Sequence, residues 1–501
     1  MREKFEILKE RLAEIKDLQS LSALAGWDQE VYMPEKAGDG RACALAAIDK
    51  AVQEKLTSPE TGALLDDCAD WAAAQDPDSD EAALLRVVRR DYERAKKLPV
   101  EFIMERSKAS SEAINVWTRA RAANDYAQYL PCLEKAVSLA RREADYVGYR
   151  DNRYDALLDV YEPGMTKAVL DKTFAGLREG LLPIYKSILA RKDAVSDDML
   201  KAGCDESGQM VFVDEIVKAM GFDFSRGRQD KSAHPFTTTF GMNDVRITTR
   251  TDKNWLPGAL YSSMHECGHA LYEQGYPPSF ARTQLADGAS MGVHESQSRL
   301  WENIIGKSLP FCRWLLPRMQ KHFPGAFDGM TPEQLYRAVN RVAPSHIRTE
   351  SDEVTYNLHI ILRYDIETAL LSGMIKTKDA PALWNELAEK YIGIRPDTFS
   401  DGILQDIHWA MGYIGYFPTY ALGNLMSAQF YAQASSDMPA LAGNLESGDF
   451  APLLGWLREH VHRHGRKYTS PQLLRRATGA ELSHGPFVNY LRDKYSQIYG
   501  F

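Results

Sequence analysis

The stretch YSSMHECGHALYEQG, residues 261–275, places two histidines four residues apart, with a glutamate directly after the first. In an α-helix, His265 and His269 would differ by about 40° around the axis and about 6 Å along it. Two imidazoles on one helix face can bind the same metal ion. Glu266 would project beside the first histidine, where it could act as general base on a metal-activated water. The stretch therefore predicts a helix with two ligands of a catalytic metal. The alternative is that both histidines are ordinary residues of a buried helix.

A second pair of histidines offers an internal comparison. In HVHRH (460–464), His460 and His464 are also four residues apart. This pair has no adjacent glutamate, lies in a basic run and has no obvious third ligand. It is more typical of a solvated helix face than of a metal site.

A third ligand is expected from the helix predicted over MGVHESQSRLWENIIG (291–306). A turn through residues 276–290 would fold this helix back onto the first, so that Glu295 could coordinate the metal. Arg299, one turn later, could orient that carboxylate. The alternative is an exposed Glu–Arg pair on a helix surface. Two histidines, a later helical glutamate and a separate base form the arrangement of glutamate-type zinc peptidases.

Composition and charge exclude several classes of protein. The formal net charge of -9 over 501 residues gives no overall attraction for nucleic acid or anionic lipid. No uncharged apolar run approaches the roughly 18 residues that span a bilayer. The amphipathic start over 1–20 lacks the apolar core and cleavage site of a signal peptide. Six scattered cysteines favour reduced thiols, so we expect a cytoplasmic protein without membrane or nucleic-acid partners.

Helical periodicity dominates the chain and predicts a mainly α fold. One stretch, HPFTTTFGMNDVRITTRT (234–251), is rich in Thr, Phe, Val and Ile and predicts a β-hairpin shortly before the helix of His265. No long linker or internal repeat interrupts the pattern. We therefore expect one large helical domain over 1–501, with a small β-sheet near the site. Apolar residues recur at helical spacing in the segments 79–97, 100–122, 165–192, 380–393 and 420–436.

Across about four-fifths of its length the chain resembles the M32 metallocarboxypeptidases, the thermostable carboxypeptidase Taq group. The resemblance rests on motifs that occur in the family's order, with no ligand or base position replaced. The motifs are WDQEVYMP (27–34), YEPGMT (161–166), HPFTTTFG (234–241), DVRITTR (244–250), HECGH (265–269), HESQSR (294–299), HIRTESDEVTYNLHI (346–360), GILQDIHW (402–409) and GYFPTY (415–420).

The resemblance implies an exopeptidase that removes one residue at a time from peptide C-termini. It implies one zinc ion held by His265, His269 and Glu295, with cobalt as a possible substitute, and Glu266 as base. It also implies a helical fold similar to neurolysin and angiotensin-converting enzyme, with the site in a deep groove. Members of the family are usually cytoplasmic homodimers.

Further site residues follow from the needs of the reaction. The related folds imply that a histidine and a tyrosine on a late segment stabilise the oxyanion, which indicates His408 with Tyr416 or Tyr420. The alternative for these aromatic residues is a place in the groove lining or the core. The substrate itself would be a peptide with a free C-terminal carboxylate.

An arginine fork matches that terminal carboxylate. Arg348 is the first choice for this role and Arg246 the second. Each could instead form a structural ion pair, which for Arg348 would involve a nearby acid such as Asp352 or Glu353. His234 and His294 could line the pocket of the terminal residue.

Two alternative functions stay open at this point. An oligopeptidase or dipeptidyl carboxypeptidase of the same superfamily would use the same metal chemistry. It would differ in whether a cation blocks the groove one residue beyond the scissile bond. A non-enzymatic helical scaffold is disfavoured, because every expected ligand and the base are present.

Overall fold

The computed structural model describes residues 2–501 and is mainly α-helical, with 69% of residues in helices and one small sheet. The predicted fold class is confirmed. The helix predicted from residue 1 begins at Arg2, and Met1 lies outside the described residues. The α-helices are α1 Arg2–Val31, α2 Gly38–Thr57, α3 Pro59–Ala73, α4 Asp80–Lys97, α5 Val100–Ala122, α6 Tyr126–Val147, α7 Arg153–Tyr161, α8 Lys167–Leu189, α9 Glu206–Met220, α10 Leu256–Glu273, α11 Met291–Arg299, α12 Leu309–His322, α13 Pro332–Val339, α14 Tyr356–Ser372, α15 Ala380–Tyr391, α16 Pro418–Asp437, α17 Leu441–Ser447, α18 Ala451–His460, α19 Ser470–Thr478 and α20 Gly485–Tyr499.

The sheet has three strands in the order β1-β3-β2. The predicted hairpin is confirmed, since β2 (Thr237–Thr239) pairs antiparallel with β3 (Val245–Thr249). The sequence did not predict β1 (Gly227–Lys231), which pairs parallel with β3. A parallel partner is reached through a long connection and leaves no local turn signal. Both β2 and β3 lie against α10, so the sheet supports the helix of the His-Glu-x-x-His motif.

The chain forms two compact units, here called unit 1 and unit 2. Unit 1 comprises the described part of Met1–Lys96 together with Asp197–Val339 and Phe430–Glu481. Its central helix, α10, is buried along most of its length. Among residues 2–501, no helix combines the length and the apolar character needed to cross a lipid bilayer.

Helices α10 and α11 of unit 1 pack unusually closely at Gly268. A Cβ atom at this position would lie 2.6 Å from the Gln297 carbonyl oxygen and from the Ser298 Cα. Only glycine therefore allows the two backbones this approach. Ser290 begins α11 by accepting a hydrogen bond from the Val293 N–H at 3.0 Å. The predicted return of the second helix onto the first is confirmed, and it carries Glu295 to the histidine face of α10.

Unit 2 comprises Lys97–Ser196, Asn340–Gln429 and Leu482–Phe501. Its central helix is α14, which packs against α6, α7, α8 and α15 and is buried on nearly every side. The helix ends at Ser372 and is followed by Gly373, whose φ of 79° is a left-handed conformation that favours glycine. The segment between α15 and α16 carries Asp406 and His408.

Candidate active site

Three predicted ligands converge in unit 1. Within the part of the chain that the structure describes, His265, His269 and Glu295 form a metal-ligating group whose ligand atoms lie within 4.8 Å of one another. Glu295 Oε2 is 3.7 Å from His265 Nε2 and 3.6 Å from His269 Nε2. These separations exceed those of hydrogen bonds, so the carboxylate and the two imidazoles lie close together without hydrogen-bonding to one another.

His265 and Glu295 are held by a further charged pair. The Nδ1 atom of His265 lies 2.8 Å from Glu302 Oε2. Arg299 donates from Nε to Glu295 Oε1 at 2.6 Å and from its terminal nitrogen to Glu302 Oε2 at 3.2 Å. The contact predicted between Arg299 and Glu295 is therefore present, and it is a largely buried pair and not an exposed surface pair.

His269 is supported through a second histidine. Its Nδ1 atom lies 2.7 Å from Nδ1 of His294. The Nε2 atom of His294 lies 2.8 Å from Oε1 of the buried Glu273. Both ring nitrogens of His294 thus have protein partners, and its predicted contact with substrate stays a prediction.

The predicted base, Glu266, is anchored by the sheet. The Thr237 hydroxyl on β2 lies 2.6 Å from Glu266 Oε2 and 2.9 Å from the carbonyl oxygen of the same residue. Burial raises the pKa of the Glu266 carboxyl, although His265 and Thr237 act in the opposite direction. A carboxyl whose pKa is raised toward neutrality is suited to exchanging protons.

The two histidines of the group differ in their electrostatic surroundings. Burial lowers the pKa of His269 well below its ordinary value, with a smaller contribution from His294. Burial also disfavours the charged form of His265, but the carboxylates of Glu295 and Glu302 outweigh this effect and raise its pKa. A neutral imidazole is the form that a metal requires.

In unit 2, Arg348 belongs to a buried charge cluster. It is 6% exposed, and its Nε and Nη2 atoms donate to Asp406 Oδ1 at 3.1 and 2.9 Å. Its Nη1 atom donates to the Tyr356 hydroxyl at 2.9 Å. Arg363, which is fully buried, holds the other Asp406 oxygen from Nε at 2.7 Å. Of the two arrangements considered for Arg348, an ion pair is present, but its partner is Asp406 and not Asp352 or Glu353.

The predicted oxyanion residues lie beside this cluster. Burial lowers the pKa of His408 to about 4, so the imidazole is neutral at pH 7. Its Nε2 atom lies 3.1 Å from the Tyr420 hydroxyl, and its ring centroid lies 5.6 Å from that of Tyr416. Arg348 in turn lies over the Tyr420 ring at 4.9 Å. The structure thus brings His408, Tyr416, Tyr420 and Arg348 together within unit 2.

The remaining predicted residues have other surroundings. Arg246 on β3 forms two hydrogen bonds of 2.9 Å to Asp244. Its guanidinium also stacks between Trp27 and Phe240, at 4.3 and 4.7 Å from their ring centroids. His234 is exposed in the loop before β2. In the second pair of histidines, His460 and His464, the ring of His460 stacks on that of Trp456 with centroids 4.5 Å apart.

The fold and the His/His/Glu group together are those of a helical metallopeptidase. The family model for carboxypeptidase Taq (M32) metallopeptidase matches residues 7–495. The chain is 40% identical to thermostable carboxypeptidase 1 of Thermus thermophilus, over 96% of each chain. It is also 40% identical to thermostable carboxypeptidase 1 of Pyrococcus furiosus, over 98% of each.

Solved structures agree with the sequence comparison. The M32 carboxypeptidase of Deinococcus radiodurans superposes with a TM-score of 0.96 at 40% identity, covering 99% of this chain and all of that one. The protein belongs to the carboxypeptidase Taq (M32) metallopeptidase family and is a hydrolase of the metallocarboxypeptidase class. The oligopeptidase and scaffold alternatives are not favoured.

Several residues of the two clusters were missed by sequence reasoning. Glu302 had a local signal, because it follows Glu295 by seven residues, which is two turns on one helix face. Thr237 meets Glu266 through packing between a strand and a helix, and Asp406 meets Arg348 and Arg363 across more than forty residues of chain. Contacts at such separation leave no spacing pattern in a single sequence.

Proposed function

We propose that this protein is a zinc-dependent carboxypeptidase that releases C-terminal residues one at a time, with residues 1–501 as one catalytic domain. The observation that carries the proposal is the convergence of His265, His269 and Glu295. Two ligands of one zinc ion lie roughly 3.4 Å apart when each zinc–ligand bond is about 2.0–2.1 Å. The observed separations of 3.7 and 3.6 Å therefore fit one ion better than any hydrogen bond.

When bound, zinc would polarise the scissile carbonyl and promote ionisation of the attacking water. The chain's own residues supply the remaining chemistry. Glu266 takes the proton of the water and delivers it to the leaving nitrogen. Thr237 holds one oxygen of that carboxyl, which leaves the other oxygen for proton transfer. The family assignment supports this division of roles, because it implies a metallopeptidase.

Arg348 is proposed to bind the terminal carboxylate of the peptide. The guanidinium meets Asp406 with its Nε side, and Tyr356 takes one of the Nη1 protons. One N–H on each terminal nitrogen is left for a carboxylate to accept in the bidentate manner. Two guanidinium groups share a single carboxylate in this cluster, which gives it a net charge of one positive unit and favours an added anion.

Neutral His408 and the Tyr420 hydroxyl can both donate hydrogen bonds, and we propose them as oxyanion donors, with Tyr416 as the alternative tyrosine. Arg246, His234 and His294 stay secondary candidates for substrate binding. A cytoplasmic homodimer stays the expected form of the protein, and cobalt the expected substitute for zinc.

Two measurements test the proposal. A peptide with a blocked N-terminus should lose single C-terminal residues when its digestion is followed by mass spectrometry. Internal fragments or dipeptides would contradict the proposed specificity. Purified protein should bind about one zinc ion per chain.

Variants of the ligand set test the metal site itself. His269→Ala and Glu295→Ala should each weaken zinc binding by more than about 100-fold, beyond the loss typical of outer contacts. The matched control is His460→Ala, in the second pair of histidines, which should bind zinc like the wild type. Equal zinc binding by all three variants would overturn the assignment of ligands.

A further inference from the structure

His294 is the middle member of a chain of three hydrogen-bonded side chains, between His269 and Glu273. Its Nδ1 atom faces Nδ1 of His269 at 2.7 Å, and its Nε2 atom faces Oε1 of Glu273 at 2.8 Å. The Tyr276 hydroxyl donates to the same Glu273 oxygen at 3.2 Å. The chain therefore runs from a predicted metal ligand through a second imidazole to a buried carboxyl.

We propose that Glu273 and His294 are positioning residues that fix the tautomer of His269, so that its Nε2 lone pair is available to the metal. The proposal rests on the proposed function, since it assigns His269 as a ligand. It concerns which proton each imidazole carries and gives His294 a role other than contact with substrate.

The direction of the chain follows from the chemistry of its last member. An ionised carboxylate only accepts hydrogen bonds, so Nε2 of His294 must carry the proton that Glu273 accepts. Nδ1 of His294 can then accept from His269 only while the His294 ring is neutral, which is the state that zinc bound at Nε2 of His269 requires. The short contact between the two Nδ1 atoms consequently requires the proton on Nδ1 of His269. The Nε2 atom of His269, which faces Glu295, is left with its lone pair.

The opposite arrangement would disable the ligand. If Nδ1 of His294 were the donor, His269 would accept at Nδ1 and carry its own proton on Nε2, where no metal could bind. Glu273 is the group that selects between these two states. Carboxylates behind metal-binding histidines commonly set the tautomer in this way, directly or through a neighbouring group.

Packing leaves the His294 ring little freedom to leave this chain. The Tyr272 ring centroid lies 5.1 Å from that of His294. On another side, a Cβ atom at Gly288 would come within 2.8 Å of His294 Cδ2. The absence of a side chain at residue 288 thus makes room for the imidazole, and its neighbours hold it in place.

The test uses the full-length metal-free protein and measures zinc affinity by competition with a chelator. Glu273→Leu removes the acceptor and should lower the affinity for zinc by about 10–100-fold, the effect typical of outer partners of metal ligands. Glu273→Gln should stay within about threefold of the wild type, because its amide oxygen can accept the same proton. Tyr276→Phe is the matched control. It removes the other hydrogen bond to Glu273 and should also stay within that range.

A second variant covers the case in which Glu273→Leu does not fold. His294→Phe keeps a ring of similar shape but offers His269 no acceptor, and it should show the same loss of zinc affinity. The thermal unfolding of each metal-free variant identifies those that fold. Wild-type affinity in both Glu273→Leu and His294→Phe would overturn the proposal. It would equally be overturned if Glu273→Gln lost as much affinity as Glu273→Leu, since charge and not acceptance would then matter.

The same measurement separates this proposal from the proposed function. If the wild type binds no zinc, or if His269→Ala binds it as the wild type does, the metal site itself is wrong. If the wild type binds zinc and depends on His269 but not on Glu273 or His294, only the tautomer proposal fails.

Discussion

In unit 1 the buried cluster around His265 is rich in acceptors, whereas in unit 2 the cluster around Arg348 is rich in donors. In the first cluster, Glu295 and Glu302 share the single guanidinium of Arg299. In the second cluster, Arg348 and Arg363 share the single carboxylate of Asp406. The two arrangements are opposite in sign, with two carboxylates and one guanidinium group in unit 1 and two guanidinium groups and one carboxylate in unit 2.

The opposite signs indicate what each cluster binds. A buried net charge is costly unless an opposite charge accompanies it. We therefore infer that a cation would stabilise the cluster of unit 1, and that an anion such as a peptide carboxylate would stabilise that of unit 2. The electrostatics of Asp406 agree with this view. Burial alone would raise the pKa of its carboxyl, but Arg363 and Arg348 hold that pKa well below its usual range.

The largest expected effect is the loss of the base in unit 1. Glu266→Gln should lower kcat/KM by about 10³–10⁴-fold, at the upper end of what general acid–base catalysis contributes, because an amide cannot take a proton from water. The variant should bind zinc as the wild type does, since Glu266 is not among the converging ligands. Steady-state kinetics and metal analysis check both points. Loss of zinc together with activity would make Glu266 a structural residue.

The next prediction concerns the cationic cluster of unit 2. Arg348→Ala should lower kcat/KM for a free-acid peptide, and the loss should correspond to about 2–4 kcal/mol of activation free energy. Arg348→Lys should lose less, because lysine keeps the charge but not the planar fork of the guanidinium. The substitution does not leave Asp406 without a positively charged partner, because Asp406 keeps its contact with Arg363 at 2.7 Å.

An amidated peptide provides the control for this prediction. It should be a poor substrate for the wild type and hardly poorer for Arg348→Ala, because the amide lacks the charge that Arg348 is proposed to bind. Arg246→Ala should affect acid and amide substrates alike, since Arg246 pairs with Asp244 and stacks on Trp27. Equal losses on both substrates for Arg348→Ala would show that the role of Arg348 is structural.

The two clusters also differ in how much of them the sequence could predict. The proposed ligands and the proposed base of unit 1 lie on two consecutive helices, and helical spacing alone places His265, His269 and Glu266 on neighbouring positions of one face. Glu295 needed only the assumption that the next helix folds back, which Gly268 permits. The supporting contact from Thr237 was not predictable, because the register of a strand against a helix is not encoded in local spacing.

In unit 2 the sequence indicated individual residues but not their partners. The alternative considered for Arg348 was an ion pair with a neighbour in sequence, yet its observed partner, Asp406, lies 58 residues away. A surface arginine commonly finds an acid within one helical turn. Arg348 is buried, and its partner is set by the packing of the segment before α16. The shared use of Asp406 by Arg363 follows from the same packing and could not be read from local spacing.

A buried carboxyl of unit 2 allows a test by pH. Glu367 accepts hydrogen bonds from Tyr154 at 2.7 Å, from Trp409 Nε1 at 2.8 Å and from the Gly415 N–H at 3.1 Å. It thereby anchors the segment that carries His408. Burial raises its pKa from 4.5 to about 7, against smaller opposing effects of these hydrogen bonds and of Arg363.

The sign of the effect on stability follows from this rise. Between pH 4.5 and pH 7 the unfolded chain loses the Glu367 proton while the folded chain keeps it, so stability falls as the pH increases. The full change in the free energy of unfolding is about 3 kcal/mol. The free energy of unfolding of the wild type, relative to Glu367→Gln, should decline by about this amount between pH 4 and pH 8 in denaturant titrations. A difference independent of pH would show that Glu367 has an ordinary pKa.

The smallest expected effect returns to unit 1 and to the support of its base. Thr237→Val keeps the shape of the side chain but removes the hydroxyl that lies 2.6 Å from Glu266 Oε2. A hydrogen bond to a charged group contributes about 1.5–3 kcal/mol, and a water can replace part of it, so we expect kcat to fall by about tenfold. KM and zinc content should stay near their wild-type values, because Thr237 contacts the base and not a ligand.

Thr237→Ser distinguishes positioning from general support of the sheet. Serine restores the hydroxyl and should recover most of kcat, although it lacks the methyl group that favours a strand. If Ser and Val variants lose the same activity, the methyl group and the packing of β2 matter more than the hydrogen bond. In that case the buried carboxyl of Glu266 would owe its orientation to α10 alone, and the base of unit 1 would need no partner comparable to those that surround Arg348 in unit 2.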